Sequence, residues 1–160
     1  MILLALIGLA SAAETPHWTV QVDPLTTFIG YAHVQVEGTL SPSISLYAGP
    51  HLRLFSTPGT QAEPYVGYGA ELGVRYYFQH EAPEGWWVLT RGVLAHVQAT
   101  DSDQTAIGGY GSALGGYTGI LGEVLVLSGG AGVQRIQYGV GDYGVRGWFP
   151  ALHTAVGVAF

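Results

Sequence analysis

Four histidines, His33, His51, His96 and His153, share the chain with two carboxylates, Glu37 and Glu71, set inside apolar, glycine-rich stretches. A histidine beside a carboxylate is the acid–base half of a Ser–His–acid hydrolase of the kind that trims lipids or cleaves peptides. The nucleophile is what the pattern lacks, because there is neither a Gly-x-Ser-x-Gly elbow nor a His-x-Ser pair. Asp101-x-Asp103 in "TDSDQ" offers oxygen ligands of the type Ca²⁺ takes, but two acids in a polar turn are the ordinary composition of a solvated loop. The run "GGYGSALGGYTG" has the glycines of a phosphate loop without its lysine or its following helix. The expectation is a protein that is not an enzyme, with no catalytic residue, no metal and no cofactor. What needs explaining is why ionised groups sit in apolar runs at all.

The stretch "YVGYGAELGVRYYF" supplies the reason. Its even positions, Val66, Tyr68, Ala70, Leu72, Val74, Tyr76 and Phe78, are all apolar or aromatic, while its odd positions hold Glu71, Arg75, Tyr65, Tyr77 and three glycines. A period of two is the signature of an extended strand with two unlike faces. The same division sets Phe28, Ala32, Val34 and Val36 against Tyr31, His33, Gln35 and Glu37. It sets Ile44, Leu46, Ala48, Leu52 and Leu54 against Ser45, Tyr47, His51 and Arg53, and Val88 and Leu94 against Arg91. In "EVLVLSGGAGVQRIQYG" the apolar start and late Arg135 and Gln137 suggest a bulge or a change of register.

Seven segments read as strands, roughly 26–38, 43–55, 65–78, 86–99, 107–119, 123–138 and 149–160, and "HWTVQV", His17–Val22, is the candidate for an eighth. Strands of 12 to 14 residues exceed the ~5–6 of soluble sheets and match the ~9–11 plus overhang needed to cross a bilayer. Only 10% of residues are charged against roughly 25% in soluble domains, there is no lysine, and glycine reaches 25 residues. No window has the ~18 consecutive apolar residues of a membrane helix. The net charge of -6 without a basic stripe excludes nucleic-acid binding, and the absence of cysteine excludes disulfides and thiolate metal sites.

These features predict an all-β, eight-stranded antiparallel up-and-down transmembrane β-barrel over residues 14–160. Residues 1–13, with apolar Ile2–Leu9 and the small Ala10-Ser11-Ala12, read as a secretory signal peptide. In such a barrel Glu37, Arg53, Glu71, Arg75, Arg91 and Arg135 would meet in the lumen as hydrogen-bonded pairs, joined by Tyr31, His33, Tyr47, His51 and Tyr77. His96 would face outward near a strand end. Tyr76, Phe78, Trp86, Trp87 and Phe160 would form one interfacial aromatic girdle, and Tyr65, Phe55, Trp148 and Phe149 the other.

The stretches "VDPLTTFIGYAHVQVEGTLSPSISLYAGP" and "GAELGVRYYF…GWWV" resemble an uncharacterised family of small Gram-negative outer-membrane β-barrels, known only as a domain of unknown function. The residues that carry the likeness are Pro24-Leu25, Gly30, Val36-Glu37, Gly49-Pro50, the Glu71–Phe78 block and Gly85-Trp86, over much of the chain after residue 13 and chiefly its first half; Asp23 stands where the pattern has Asn. The terminal Phe160 is similar to the signal read by the barrel-assembly machinery. The resemblance implies an outer-membrane barrel and brings no catalytic residues. The function expected is a monomeric barrel in outer-membrane lipid, with a filled lumen and a structural or interaction role through its outer loops. The rivals are a narrow channel for ions or small solutes, suggested by Gly67, Gly69 and Gly73, a lipid-modifying barrel enzyme, and a soluble secreted β-barrel holding a hydrophobic ligand.

Overall fold

The computed structural model describes residues 16–28, 31–53, 65–79, 81–99, 103–140 and 143–160. The leader expected over residues 1–13, Phe55 and Asp101 lie outside these, as do the side chains of Tyr31, Arg53 and Tyr65.

Eight antiparallel strands close into one up-and-down barrel in which each strand pairs with its neighbours in sequence and β8 pairs with β1. They are β1 (Trp18–Val22), β2 (Tyr31–Ser41), β3 (Ile44–Arg53), β4 (Tyr65–Tyr77), β5 (Gly85–Ala99), β6 (Thr105–Leu121), β7 (Leu125–Val140) and β8 (Tyr143–Ala159). The expected first strand from residue 26 is corrected: Pro24–Phe28 form a short helix, α1. Asp23 caps it by accepting from Leu25 N (3.0 Å) and Thr26 N (3.1 Å), and Pro24 occupies the first helical position, where a missing N–H costs nothing. The start expected for the last strand is also moved, because β8 begins at Tyr143 within the glycine-rich stretch that reads as a turn.

Following paired residues around the barrel links Arg135 to Gly111, Gly92, Leu72, Ala48, Val36, Val20 and Val158, and returns to β7 at Leu125. The path closes ten residues from where it began, which is the stagger of the cylinder. With strands ~4.8 Å apart and a rise of ~3.3 Å per residue, eight strands so staggered tilt by roughly 41° around a radius of roughly 8 Å.

The loop also decides which way each side chain points. Every residue on it shares one face, and Leu72, Val36 and Leu125 are exposed on the outer wall. Arg135 is therefore outside, which corrects its expected place in the lumen. Pairing of β7 with β6 and β8 continues without a shift through Arg135, so the bulge anticipated there is absent; a register shift occurs instead at Thr39/Ser41 of β2. Trp87 is the second correction. Neighbouring residues on a strand face opposite ways, so Trp86 lies outside and Trp87, 1% exposed, fills the lumen.

At this tilt each residue climbs the axis by roughly 2.5 Å. Placed on that axis, the outward rings of Trp18, Tyr76, Phe78, Trp86, Tyr117 and Phe160 gather near the end that carries the tight turns. Tyr68 and Trp148 stand roughly 24 Å higher, with His96 packed on Tyr68 at 5.1 Å between ring centres. Among the described residues no charged side chain lies on the outer wall between these levels. Arg135 stands at the upper one, its guanidinium 5.9 Å from the Trp148 ring centre.

Candidate functional site

The charges inside the barrel form two tiers. In the lower, the Glu37 carboxylate of β2 accepts hydrogen bonds from Arg75 Nη1 (2.8 Å), Tyr77 Oη (2.9 Å), Gln21 Nε2 (3.0 Å) and Ser45 Oγ. In the upper, Glu71 of β4 accepts from Tyr47 Oη (2.5 Å) and His33 Nε2 (2.6 Å), and at longer range from Arg91 Nη1 and Tyr110 Oη (both 3.4 Å). Each carboxylate thus meets four donors, the number of lone-pair positions an ionised carboxylate offers. These donors come from the adjacent and next-but-one strands, whose inward side chains converge in the lumen, which is why they meet although they are 8 to 40 positions apart in sequence.

The two arginines differ in how fully they are used. Arg75, with no exposed surface, reaches Glu37, Tyr77 and His153 Nε2 (3.3 Å), and its guanidinium lies 4.5 Å from the Trp87 ring centre. Arg91 makes the 3.4 Å contact with Glu71 and stacks on Tyr110 at 5.7 Å, and its Nε, like that of Arg75, has no hydrogen-bond partner. Directly across from it on β6 is Ser112, a buried hydroxyl that is also without one.

Glycine on the lumen face makes room for rings rather than for water. A β-carbon on Gly73 would strike the Tyr47 ring, one on Gly67 would strike Tyr138 Oη, and one on Gly116 would strike Trp87. Trp87 lies against Gly116 and Gly130 and donates from Nε1 to Thr118 Oγ1 (2.9 Å), which is bonded in turn to Ser128 (2.8 Å).

Of the expected lumen residues, Glu37, Glu71, Arg75, Arg91, His33, Tyr47, His51 and Tyr77 are buried inside the cylinder. Arg53 and Tyr31 end their strands at the upper rim, and Arg135 is on the outer wall. Phe149 carries the lumen parity of Ala151 instead of an outward one. Gln21, Ser45, Trp87, Tyr110 and His153 also belong to the interior. For Gln21 and Ser45 the signal was their place on the same alternate face as Glu37 and Tyr47; Tyr110 was hidden because its strand has glycine on both faces.

His33, His51 and Glu71 bring ligand-type atoms within 4.8 Å of one another. Donors around a tetrahedral zinc stand roughly 3.3 Å apart. Here His33 and Glu71 are hydrogen-bonded at 2.6 Å, and the Arg91 guanidinium approaches the same carboxylate. The arrangement is that of a bonded cluster of opposite charges, poorly suited to a further cation. Among the described residues, the buried hydroxyls of Ser45, Thr118 and Ser128 pair with Glu37, Trp87 and each other and not with histidine.

Comparison of the chain with family models, with curated proteins and with solved structures finds no match.

Proposed function

We propose that the chain is an outer-membrane β-barrel of a Gram-negative bacterium, one that stays closed along its axis and acts as a structural or docking element through the rim that bears the longer connections. The observation that carries this reading is the outer wall: an uncharged apolar belt roughly 24 Å tall between two levels of aromatic rings, against an apolar band of ~25 Å in membrane barrels. A soluble barrel would have to keep that belt in water. The lumen supports the closed form, because the spaces left by glycine are occupied by Tyr47, Tyr138 and Trp87, and Arg75 is pinned between Glu37 and His153.

Fractionation of cells expressing the chain tests the location. The protein should appear in outer membranes and migrate differently in gels with and without heating; a dispersed, detergent-independent protein overturns the reading. In planar bilayers the folded protein should be electrically silent, and discrete conductance steps would favour the narrow channel instead.

A further inference from the structure

The barrel wall is not paired to its full height. β8 runs from Tyr143 to Ala159 and pairs with β7 throughout, but on its other edge it meets β1 only between Val156 and Ala159. Phe160 exchanges both backbone hydrogen bonds with Trp18, and Ala159 N donates to Val124 O on the other side. Alternate residues above Phe160, among them Leu152, Pro150 and Trp148, therefore aim their backbone groups at the β1 side. No strand of the described residues lies there above Val22. Proline in a strand is tolerated at such an edge because it has no N–H to leave unpaired, and Pro150 stands on it.

The helix α1 bridges part of this seam. Thr154 Oγ1 donates to Asp23 Oδ1 (2.6 Å) and accepts from Leu25 N (3.3 Å). Behind it is a cavity of about 390 Å³ that continues from Leu25, Thr26, Pro150 and Leu152 at the wall to Gln134 and Arg91 in the lumen. Its outer end is apolar. Its inner end has Arg91, whose guanidinium lies against the Tyr110 ring. The Gln134 side chain reaches from the lumen to the Pro150 carbonyl at 3.4 Å, so the unpaired edge is accessible from within.

We propose that this seam is a lateral port for a single-chain amphiphile with an anionic head. The alkyl chain lies between α1 and the edge of β8, and the head is held by Arg91. The volume falls at the lower end of the ~300–1,000 Å³ of ligand pockets, the scale of one chain and not two. Arginine is the group that takes a carboxylate or phosphate by paired hydrogen bonds. The proposal rests on the membrane reading above. On that reading the seam opens within the apolar belt, at a depth that an alkyl chain reaches from the bilayer.

The test uses the refolded full chain in detergent micelles, its folded state read by migration of unheated samples, with amide exchange followed residue by residue. Palmitate should slow exchange at the Leu152 and Trp148 amides at least tenfold and saturably. Palmitate methyl ester, or palmitate with the Arg91→Gln variant, should need at least ten times the concentration. Should Arg91→Gln fail to fold, Leu25→Trp fills the outer end of the cavity without touching the charge tiers and should abolish the protection. A folded, heat-modifiable barrel whose seam amides ignore palmitate overturns the port and leaves the membrane reading standing. Equal protection by inorganic phosphate alone overturns it too, since that outcome needs no chain.

Discussion

A carboxylate enclosed in a cylinder of roughly 8 Å radius has little water to solvate it, and its stability depends on the donors the wall supplies. Glu37 shows how sharply that acts, because Arg75 is both its counter-charge and a bonded neighbour of Tyr77 and His153. Removing one partner strands the other. Arg75→Met should lower unfolding stability in urea by about 3–5 kcal/mol, and Glu37→Gln in the same background should recover a good part of the loss, as expected when two buried charges are removed together. A smaller gain is available at the turn joining β6 and β7. Gly122 and Glu123 both take positive φ (60° and 64°), and Val124 N closes the turn on Leu121 O at 3.3 Å. Glutamate is strained there where asparagine is tolerated. Glu123→Asn should raise stability by about 1 kcal/mol in the same assay. The inward course of Glu71 and Arg75 was legible from alternation within their own strand, since a period of two leaves no third option. Arg135 was not, because the small residues before it, Gly129, Gly130, Ala131 and Gly132, give neither face a label. Only pairing with β6 and β8 assigns that strand its sides.

At the scale of elements the strands were legible where they are long and two-faced, and obscure where a short element does two jobs. Asp23-Pro24 reads as a strand breaker, yet the same pair is a cap and first turn of a helix, and the residues that follow carry the apolar spacing of either form. Contacts with Thr154 of β8, distant in sequence, are part of what holds α1 there. Asp23→Ala removes the cap and this tether together. The loss should be about 1–2 kcal/mol, with faster amide exchange confined to α1 and the upper edge of β8. The glycine strands carry a comparable ambiguity, since Gly67, Gly69 and Gly73 fit a pore as well as a packed interior. At Gly73 the ring of Tyr47 lies where a side chain would go. Gly73→Val should therefore cost about 1–3 kcal/mol by overpacking, and Tyr47→Ala in that background should restore part of it, whereas a side chain lining an open pore would be nearly neutral.

For the whole molecule, stagger and strand number set the tilt, the tilt sets the rise per residue, and the rise converts sequence positions into depth. By that conversion Leu72 stands roughly 16 Å above Leu125 and Arg135 roughly 25 Å above it, on the same outer wall. If the belt lies in a bilayer, the two positions differ in what they meet: acyl chains at Leu72, headgroups and water at Arg135. Placing a cation on the outer face of a membrane barrel costs about 2–4 kcal/mol at mid-plane and about 0–1 kcal/mol near the interface. Leu72→Arg should thus lose about 2–4 kcal/mol in lipid vesicles and Arg135→Leu about 1 kcal/mol or less, although each exchanges the same two side chains in opposite directions. Urea titrations of the two variants in vesicles measure the difference. In water the difference disappears: the exposed leucine contributes nothing that arginine would forfeit, and both changes would fall near zero. A small, equal response at the two depths would mean that the belt never meets lipid, and the two aromatic levels would then require another cause.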